Sequence, residues 1–165
     1  MKLKVALLIF AILSVCKSAI GQELDENSFD FWVGHWQVAW ANSDGIEVRG
    51  TNEIVRILHQ KVIQENFIDP STNFKGTSIT VYNPTTKTWH QAWADSAGTY
   101  YDFEGELVNG MPSFKTKTIH RNGEQIIQRM VFKNIQKDAF TWIWEGTKNG
   151  GESWNELWKI SYRRM

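Results

Sequence analysis

The chain has 165 residues, of which 18 are basic and 18 acidic, so its formal net charge is zero. Because there is also no basic run, nothing favours a nucleic acid or an anionic membrane surface as a partner, and both are set aside. Cys16 is the only cysteine. Core burial rather than disulfides must therefore hold the fold together, and the length suits one domain.

The first 21 residues are predicted to be a cleaved secretory signal peptide. Lys2 lies ahead of an apolar run, Val5–Val15, which is followed by small residues at the cleavage positions, Ala19–Gly21. The run is too short for a transmembrane helix, so we expect a secreted or periplasmic domain over residues 22–165, without membrane insertion. Lipidation of Cys16 is the alternative, which the bulky residue before it disfavours.

Beyond a polar leader, short apolar segments alternate with turn signals such as Asn83-Pro84, Asn109-Gly110 and Asn122-Gly123, as is typical of antiparallel β-structure. The predicted fold is all-β: a single antiparallel up-and-down β-barrel of about ten strands, with Glu26–Trp32 as a short N-terminal helical plug. The predicted strands are 34–41, 50–58, 61–68, 76–82, 88–95, 100–108, 111–120, 124–134, 139–145 and 153–163.

Tryptophan is the most informative residue type, with nine copies in a short chain. Several lie two or four residues apart within a predicted strand, so each set projects from one face. A barrel that holds a flat or sugar-like ligand uses such walls for stacking, so the pattern predicts a ligand pocket. The sets of equal parity are Trp36 and Trp40, Trp89 and Trp93, Trp142 and Trp144, and Trp154, Trp158 and Tyr162.

The run Phe29–Trp36, FDFWVGHW, resembles the start of a family of small exported domains of unknown function. Its Gly34-x-Trp36 element also looks like the first-strand motif of calycin barrels, the superfamily of lipocalins, fatty-acid-binding proteins and haem-binding nitrobindins. The resemblance implies one chain closed around a central cavity but supplies no catalytic residues. It extends through Gly50-x-Asn52-x-Ile54, Tyr82-Asn83-Pro84, Trp89-x-Gln91-x-Trp93 with Asp95 and Gly98, Gly151-x-Ser153-Trp154, and Tyr162-Arg163.

Two carboxyl groups are predicted to point inward. Glu65 shares its strand face with apolar neighbours, and Glu156 falls on the face of Trp158. A buried carboxyl beside aromatic rings should have a raised pKa, which suits general acid or base catalysis. The alternative is that both glutamates pair with Arg56, Arg129 or the backbone and only hold the barrel shut.

Three further side chains complete the predicted catalytic set. His35 and His90 titrate near neutral pH, although both alternate with inward Trp residues and so are also candidates for a surface position. Tyr101 or its neighbour should point inward, where a phenol orients or protonates a ligand hydroxyl, with packing as the alternative. The predicted substrate-binding residues are Trp36, Asn52, Gln91, Trp93, Gln128, Trp142, Trp144 and Trp158; the amides among them alternatively bond only to each other.

The predicted function is that of an enzyme acting on a carbohydrate without a metal or other cofactor. Elimination of water from a uronic-acid-containing oligosaccharide is the reaction that requires the fewest groups in such a site, since it needs only a base, a proton donor and stabilisation of the enolate. Glycoside hydrolysis by Glu65 and Glu156 is an alternative. Another is a non-catalytic carrier for an amphipathic small molecule. Haem binding through a histidine is disfavoured, because the chain lacks the Gly-rich first strand of nitrobindins.

Overall fold

The computed structural model describes residues 23–165, so the predicted signal peptide lies outside the described residues. Within them, no helix is both long and apolar enough to span a membrane. The described part of the chain forms a 3-10 turn and then eleven strands. The strands are β1 Gly34–Ala41, β2 Glu47–Ile57, β3 Val62–Asp69, β4 Phe74–Asn83, β5 Thr88–Asp95, β6 Tyr100–Val108, β7 Met111–Thr116, β8 Ile119–Arg121, β9 Glu124–Lys133, β10 Ala139–Thr147 and β11 Asn155–Arg164.

Ten of these strands close into an antiparallel barrel. Sequential neighbours pair from β1 to β7, β9 then pairs with both β7 and β10, and β11 returns to β1. Closure removes the free sheet edges that an open sheet of this length would expose. The prediction of a closed all-β barrel is therefore confirmed, and its architecture is compatible with a calycin-like fold.

One predicted strand is interrupted. The segment 111–120 is divided into β7 and the short β8, which pairs only with β9. At the break, the hydroxyl of Thr116 accepts the backbone N–H of Gln128 at 3.0 Å, so a side chain takes the place of a carbonyl acceptor. β8 is therefore the extra strand, which is attached to the ten-stranded barrel through β9 alone.

Aromatic packing fills one end of the barrel. Phe29, which precedes the 3-10 turn at Asp30–Trp32, stacks on Phe114 with centroids 4.3 Å apart, and Trp32 is buried against Phe132. The indole of Trp36 donates to the carbonyl of Trp32 at 2.8 Å. These contacts tie the N-terminal segment to the core; that Glu26–Trp32 acts as a plug stays a prediction.

Candidate functional site

A cavity of about 160 Å³ lies inside the barrel, toward the end opposite the Phe29–Phe114 stack. Several of its aromatic side chains, Trp93, Tyr101, Trp142 and Trp158 among them, are only partly buried although they face inward, so the cavity opens to solvent at this end. Its lining is Glu65, Phe67, Phe74, Trp93, Asp95, Tyr101, Phe103, Met130, Trp142, Trp144, Trp158, Ile160 and Tyr162.

The indoles form walls at right angles to one another. The rings of Trp142 and Trp144, two residues apart on β10, are parallel within 3° with centroids 6.3 Å apart. Trp158 on β11 stands at 88° to Trp142 with a centroid separation of 5.8 Å, and Tyr101 packs on Trp144 at 5.4 Å. A ligand in the cavity would therefore meet both faces and edges of aromatic rings.

The position of Trp93 depends on a glycine in the neighbouring strand. A Cβ added to Gly76 would lie 2.0 Å from Cζ2 of Trp93, so the indole occupies the space above that backbone. The indole N–H also donates to Oδ2 of Asp95 at 3.1 Å. Close approach to the glycine and this hydrogen bond together hold the ring against the cavity.

Asp95 ends β5 and organises the turn into β6. Its Oδ1 accepts the backbone N–H groups of Ala97 at 2.9 Å and Thr99 at 3.0 Å. Burial works to raise the pKa of Asp95, but the hydrogen bonds from Thr99, Trp93 and Ala97 outweigh it and lower the pKa below its ordinary value. Asp95 is therefore ionised at neutral pH and positions Trp93.

Glu65 supplies a buried carboxyl group to the same cavity, with 6% of its surface exposed. Asn52 Nδ2 donates to Oε1 at 2.7 Å, and the hydroxyl of Ser78 donates to Oε2 at 2.8 Å. Burial raises the pKa of Glu65 from 4.5 to about 7, because these two hydrogen bonds offset only part of the desolvation. Both protonation states are therefore populated at neutral pH.

The two arginines that were expected as alternative partners of Glu65 bind elsewhere. Arg56 pairs with Asp30 in the N-terminal segment. Arg129 donates through Nε and Nη2 to Oε2 of Glu145, at 2.8 and 2.7 Å, on the outer side of the barrel. Among residues 23–165, no lysine, arginine or histidine forms a salt bridge with Glu65, whose carboxyl is held by neutral groups alone.

Neutral polar side chains surround the Glu65 carboxyl at the inner end of the cavity. Asn52 Nδ2 also donates to the hydroxyl of Tyr162 at 3.0 Å, and Gln91 donates to Ser78 at 3.3 Å and to Thr80 at 2.9 Å. Burial and the nearby charge of Glu65 raise the pKa of Tyr162, so its phenol stays protonated. These contacts confine Glu65 to one position.

Two amide oxygens beside this network have no hydrogen-bond partner within the described part of the chain. They are Oδ1 of Asn52 and Oε1 of Gln91, in side chains that are 0% and 1% exposed. A buried oxygen without a donor is destabilising. Both therefore remain available to a donor such as a bound water.

The structure brings together most of the side chains that were predicted from the sequence to form the site. Glu65, Tyr101 and four of the predicted substrate-binding residues, Trp93, Trp142, Trp144 and Trp158, line the cavity. Asn52 and Gln91 lie behind Glu65 in the hydrogen-bonded network. All of these residues were predicted from strand parity, because each alternates along its strand with residues that point outward.

The inward orientation predicted for Glu156 is wrong. A register shift lies between Trp144 and Glu145, so that Trp144 pairs with Trp158 but Glu145 pairs with Glu156. The extra residue in β11 is Leu157, which makes this a β-bulge and reverses the alternation beyond it. Glu156 consequently shares the outer face with Glu145 and is exposed.

Four other nominated side chains lie away from the cavity. His35 is on the outer surface 3.5 Å from Glu53, and exposed His90 contacts the Thr88 hydroxyl at 3.1 Å. Each histidine is adjacent in its strand to a tryptophan that points inward, so the histidine side chain points to the opposite, outer face. Trp36 is fully buried at the closed end against Phe140. Gln128 is partly buried on β9, outside the lining.

Several lining residues were absent from the nominated set, including Asp95, Phe67, Phe74 and Tyr162. Asp95 lies two residues after Trp93, and Phe67 two after Glu65, so the same parity was a sufficient signal for both. Asp95 was missed because an aspartate at a strand end also fits a turn, which is its second role here.

No protein-family model matches this sequence. No curated protein matches it significantly either. Among residues 23–165, no group of three or more His, Cys, Asp or Glu side chains is arranged to hold a metal ion.

Proposed function

We propose that the protein is an exported calycin-type barrel whose cavity binds one ring of a carbohydrate, and that Glu65 transfers a proton to or from that ring. The observation that carries the proposal is a carboxyl with a pKa of about 7 in an aromatic cavity. General acid and base groups work best when their pKa lies near the operating pH, because both forms are then accessible. Arg56 and Arg129, the cationic partners considered from the sequence, bind Asp30 and Glu145 instead, so neither holds Glu65 in its ionised form.

The aromatic walls and the volume both support a single ring as the bound unit. Sugars present apolar faces of C–H groups, which stack on indoles such as Trp142 and Trp158. An apolar cavity of roughly 150 Å³ holds one benzene molecule, and this cavity measures about 160 Å³. The remainder of an oligosaccharide would therefore lie outside the barrel, past the open end.

Elimination of water is the reaction proposed for this site, with a uronic acid as the sequence-based prediction for the bound unit. The ionised carboxylate of Glu65 takes the proton α to the sugar carboxyl, and the electron pair forms a carbon–carbon double bond. The β-hydroxyl then leaves as water after receiving a proton from the Tyr101 phenol, which lines the same cavity. This makes the protein a carbon–oxygen lyase that requires no metal.

The test is mass spectrometry of oligosaccharides after incubation with the purified protein. We expect an acceptor sugar to lose one water, and Glu65→Gln to reduce the rate by at least about a hundredfold, the usual contribution of a positioned acid or base. The matched control is Glu104→Gln, which removes an exposed carboxyl from the outer face of β6. Equal rates for wild type and Glu65→Gln would contradict the assignment.

The second candidate is a non-catalytic carrier of an amphipathic small molecule, the alternative left open by the sequence. It is favoured by the predominantly apolar lining, to which residues 23–165 contribute two carboxyl groups, those of Glu65 and Asp95. Native mass spectrometry of protein purified from its expression host separates the two. A retained ligand that leaves intact on denaturation, together with unaltered sugars, is the carrier result.

A further inference from the structure

The charged groups of the cavity are all of one sign. Glu65 and Asp95 are its carboxyl side chains, its other titratable groups are the phenols of Tyr101 and Tyr162, and no lysine, arginine or histidine appears among the lining residues that the structure describes. A carboxylate on a ligand would meet these acids without a counter-ion, which costs several kcal/mol in general when a charge is desolvated. The electrostatics therefore disfavour an anion.

Nearby basic side chains are already engaged away from the cavity. Arg129 binds Glu145 and also lies over the Trp154 ring at 3.7 Å, on the outer side of the barrel. Arg164 lies 4.2 Å over Trp36 at the closed end. Rearranging either one to reach the cavity would break these contacts, so the negative character of the cavity is a property of the fold.

Aromatic faces add to this preference for positive charge. The face of an indole carries negative charge from the ring quadrupole, and tryptophan is the best partner for an ammonium group among the aromatic residues. Trp142 and Trp158 stand at 88° to each other, and Trp93 and Trp144 complete four indoles in the lining. A compact cation would contact several faces at once while one carboxylate balances its charge.

We propose that this cavity selects a ligand with an ammonium group on a compact body, held by the indole faces and by the carboxylate of Glu65. Two sources share this chemistry: an amino sugar, and a quaternary alkylammonium compound. The inference rests on the proposed function only in taking this cavity as the ligand site. An amino sugar lacks the carboxyl that acidifies the α-proton, so binding of a cation and elimination from a uronic acid are competing assignments for this cavity, which the experiment below separates.

The proposal predicts how the affinity for a ligand changes with pH. A cation binds the ionised form of Glu65, whose neighbours are the neutral Asn52, Ser78 and Tyr162. The other titratable groups that line the cavity are Asp95, which is ionised, and the phenol of Tyr101. With a pKa of about 7 for Glu65, the ionised fraction rises roughly tenfold between pH 6 and pH 8. Affinity for a permanently charged cation such as choline must rise by about that factor, whereas affinity for an anion must fall.

The experiment is a titration of the full mature protein with matched ligands, in which binding is measured by isothermal titration calorimetry and by tryptophan fluorescence. Choline is compared with 3,3-dimethyl-1-butanol, its neutral isostere, and glucosamine is compared with glucose and glucuronate. We expect choline at pH 8, and glucosamine at pH 7 where its amine is still largely protonated, to bind at least about tenfold more tightly than the neutral match. Preference for choline or for glucosamine identifies the source.

Two variants test whether the Glu65 carboxylate is responsible for cation binding. Glu65→Gln should weaken the cation preference and abolish the rise of affinity with pH, whereas Glu104→Gln on the outer face should keep both. Equal binding of the neutral matches, tighter binding of glucuronate, or affinity for choline that falls from pH 6 to pH 8 overturns the proposal. Because the readout is binding, unaltered sugars with Glu65-dependent cation binding reject only the catalytic function. Glu65-dependent turnover of a neutral or acidic sugar without cation preference rejects only this inference.

Discussion

Replacing Glu65 by glutamine should make the stability of the barrel less dependent on pH. In the native protein this carboxyl has its pKa raised from 4.5 to about 7 by burial. The folded state therefore binds a proton more tightly than the unfolded chain between those two values, so stability falls as the pH rises through this window. Below pH 4.5 the carboxyl is protonated in both states and carries no penalty.

The size of the effect follows from the same two values. Each pKa unit corresponds to about 1.4 kcal/mol, so ionising Glu65 in the fold costs about 3 kcal/mol once the pH is well above 7. The glutamine variant has no such titration. Its free energy of unfolding, relative to wild type, should increase by about 3 kcal/mol from pH 4.5 to pH 8.5, or roughly 10 °C in Tm.

Urea unfolding followed by tryptophan fluorescence, at half-unit steps from pH 4.5 to 8.5, measures this difference. Subtracting the two curves removes the contributions of other titrating groups, including Asp69 and Asp95, whose pKa values are lowered by hydrogen bonds that outweigh burial. Glu104→Gln should follow wild type at every pH. Parallel curves for wild type and Glu65→Gln would refute the raised pKa, and with it the acid–base argument for this site.

Two other substitutions test the construction of the site and its support. Gly76→Ala should displace the Trp93 indole, because the new Cβ would lie 2.0 Å from Cζ2; overpacking of this kind costs about 1–3 kcal/mol, and an unchanged urea midpoint together with unchanged ligand affinity would contradict the close approach. Arg129→Ala leaves the buried Glu145 with only Lys133 at 3.8 Å as a cationic partner, so we expect a loss of about 3 kcal/mol by urea unfolding, the lower end for a broken buried pair. Its matched control, Arg49→Ala, breaks an exposed pair and should cost less than about 1 kcal/mol; equal losses in the two variants would show that burial of the pair is unimportant.

Strand parity explains how far the candidate site was predictable. Glu65, Trp93 and Trp158 were assigned inward by counting from an apolar face, and all three line the cavity. Counting failed at Glu156, where one extra residue in β11 reverses the alternation. This bulge contains no glycine to mark it, so the local sequence did not show where the alternation reverses.

The sequence by itself determined the class of fold and the aromatic character of the interior. Alternating apolar and polar residues, separated by turn signals, specify strands that bury one face, and these are local properties of each segment. Tertiary structure alone decided which inward residues meet at the open cavity and which fill the closed end, as Trp158 and Trp36 do. It also decided that Glu65 is held by amide and hydroxyl groups while Arg129 binds Glu145 outside. Such partnerships join residues far apart in the chain, and the pKa of a carboxyl depends on the desolvation and neighbours that only the closed barrel provides.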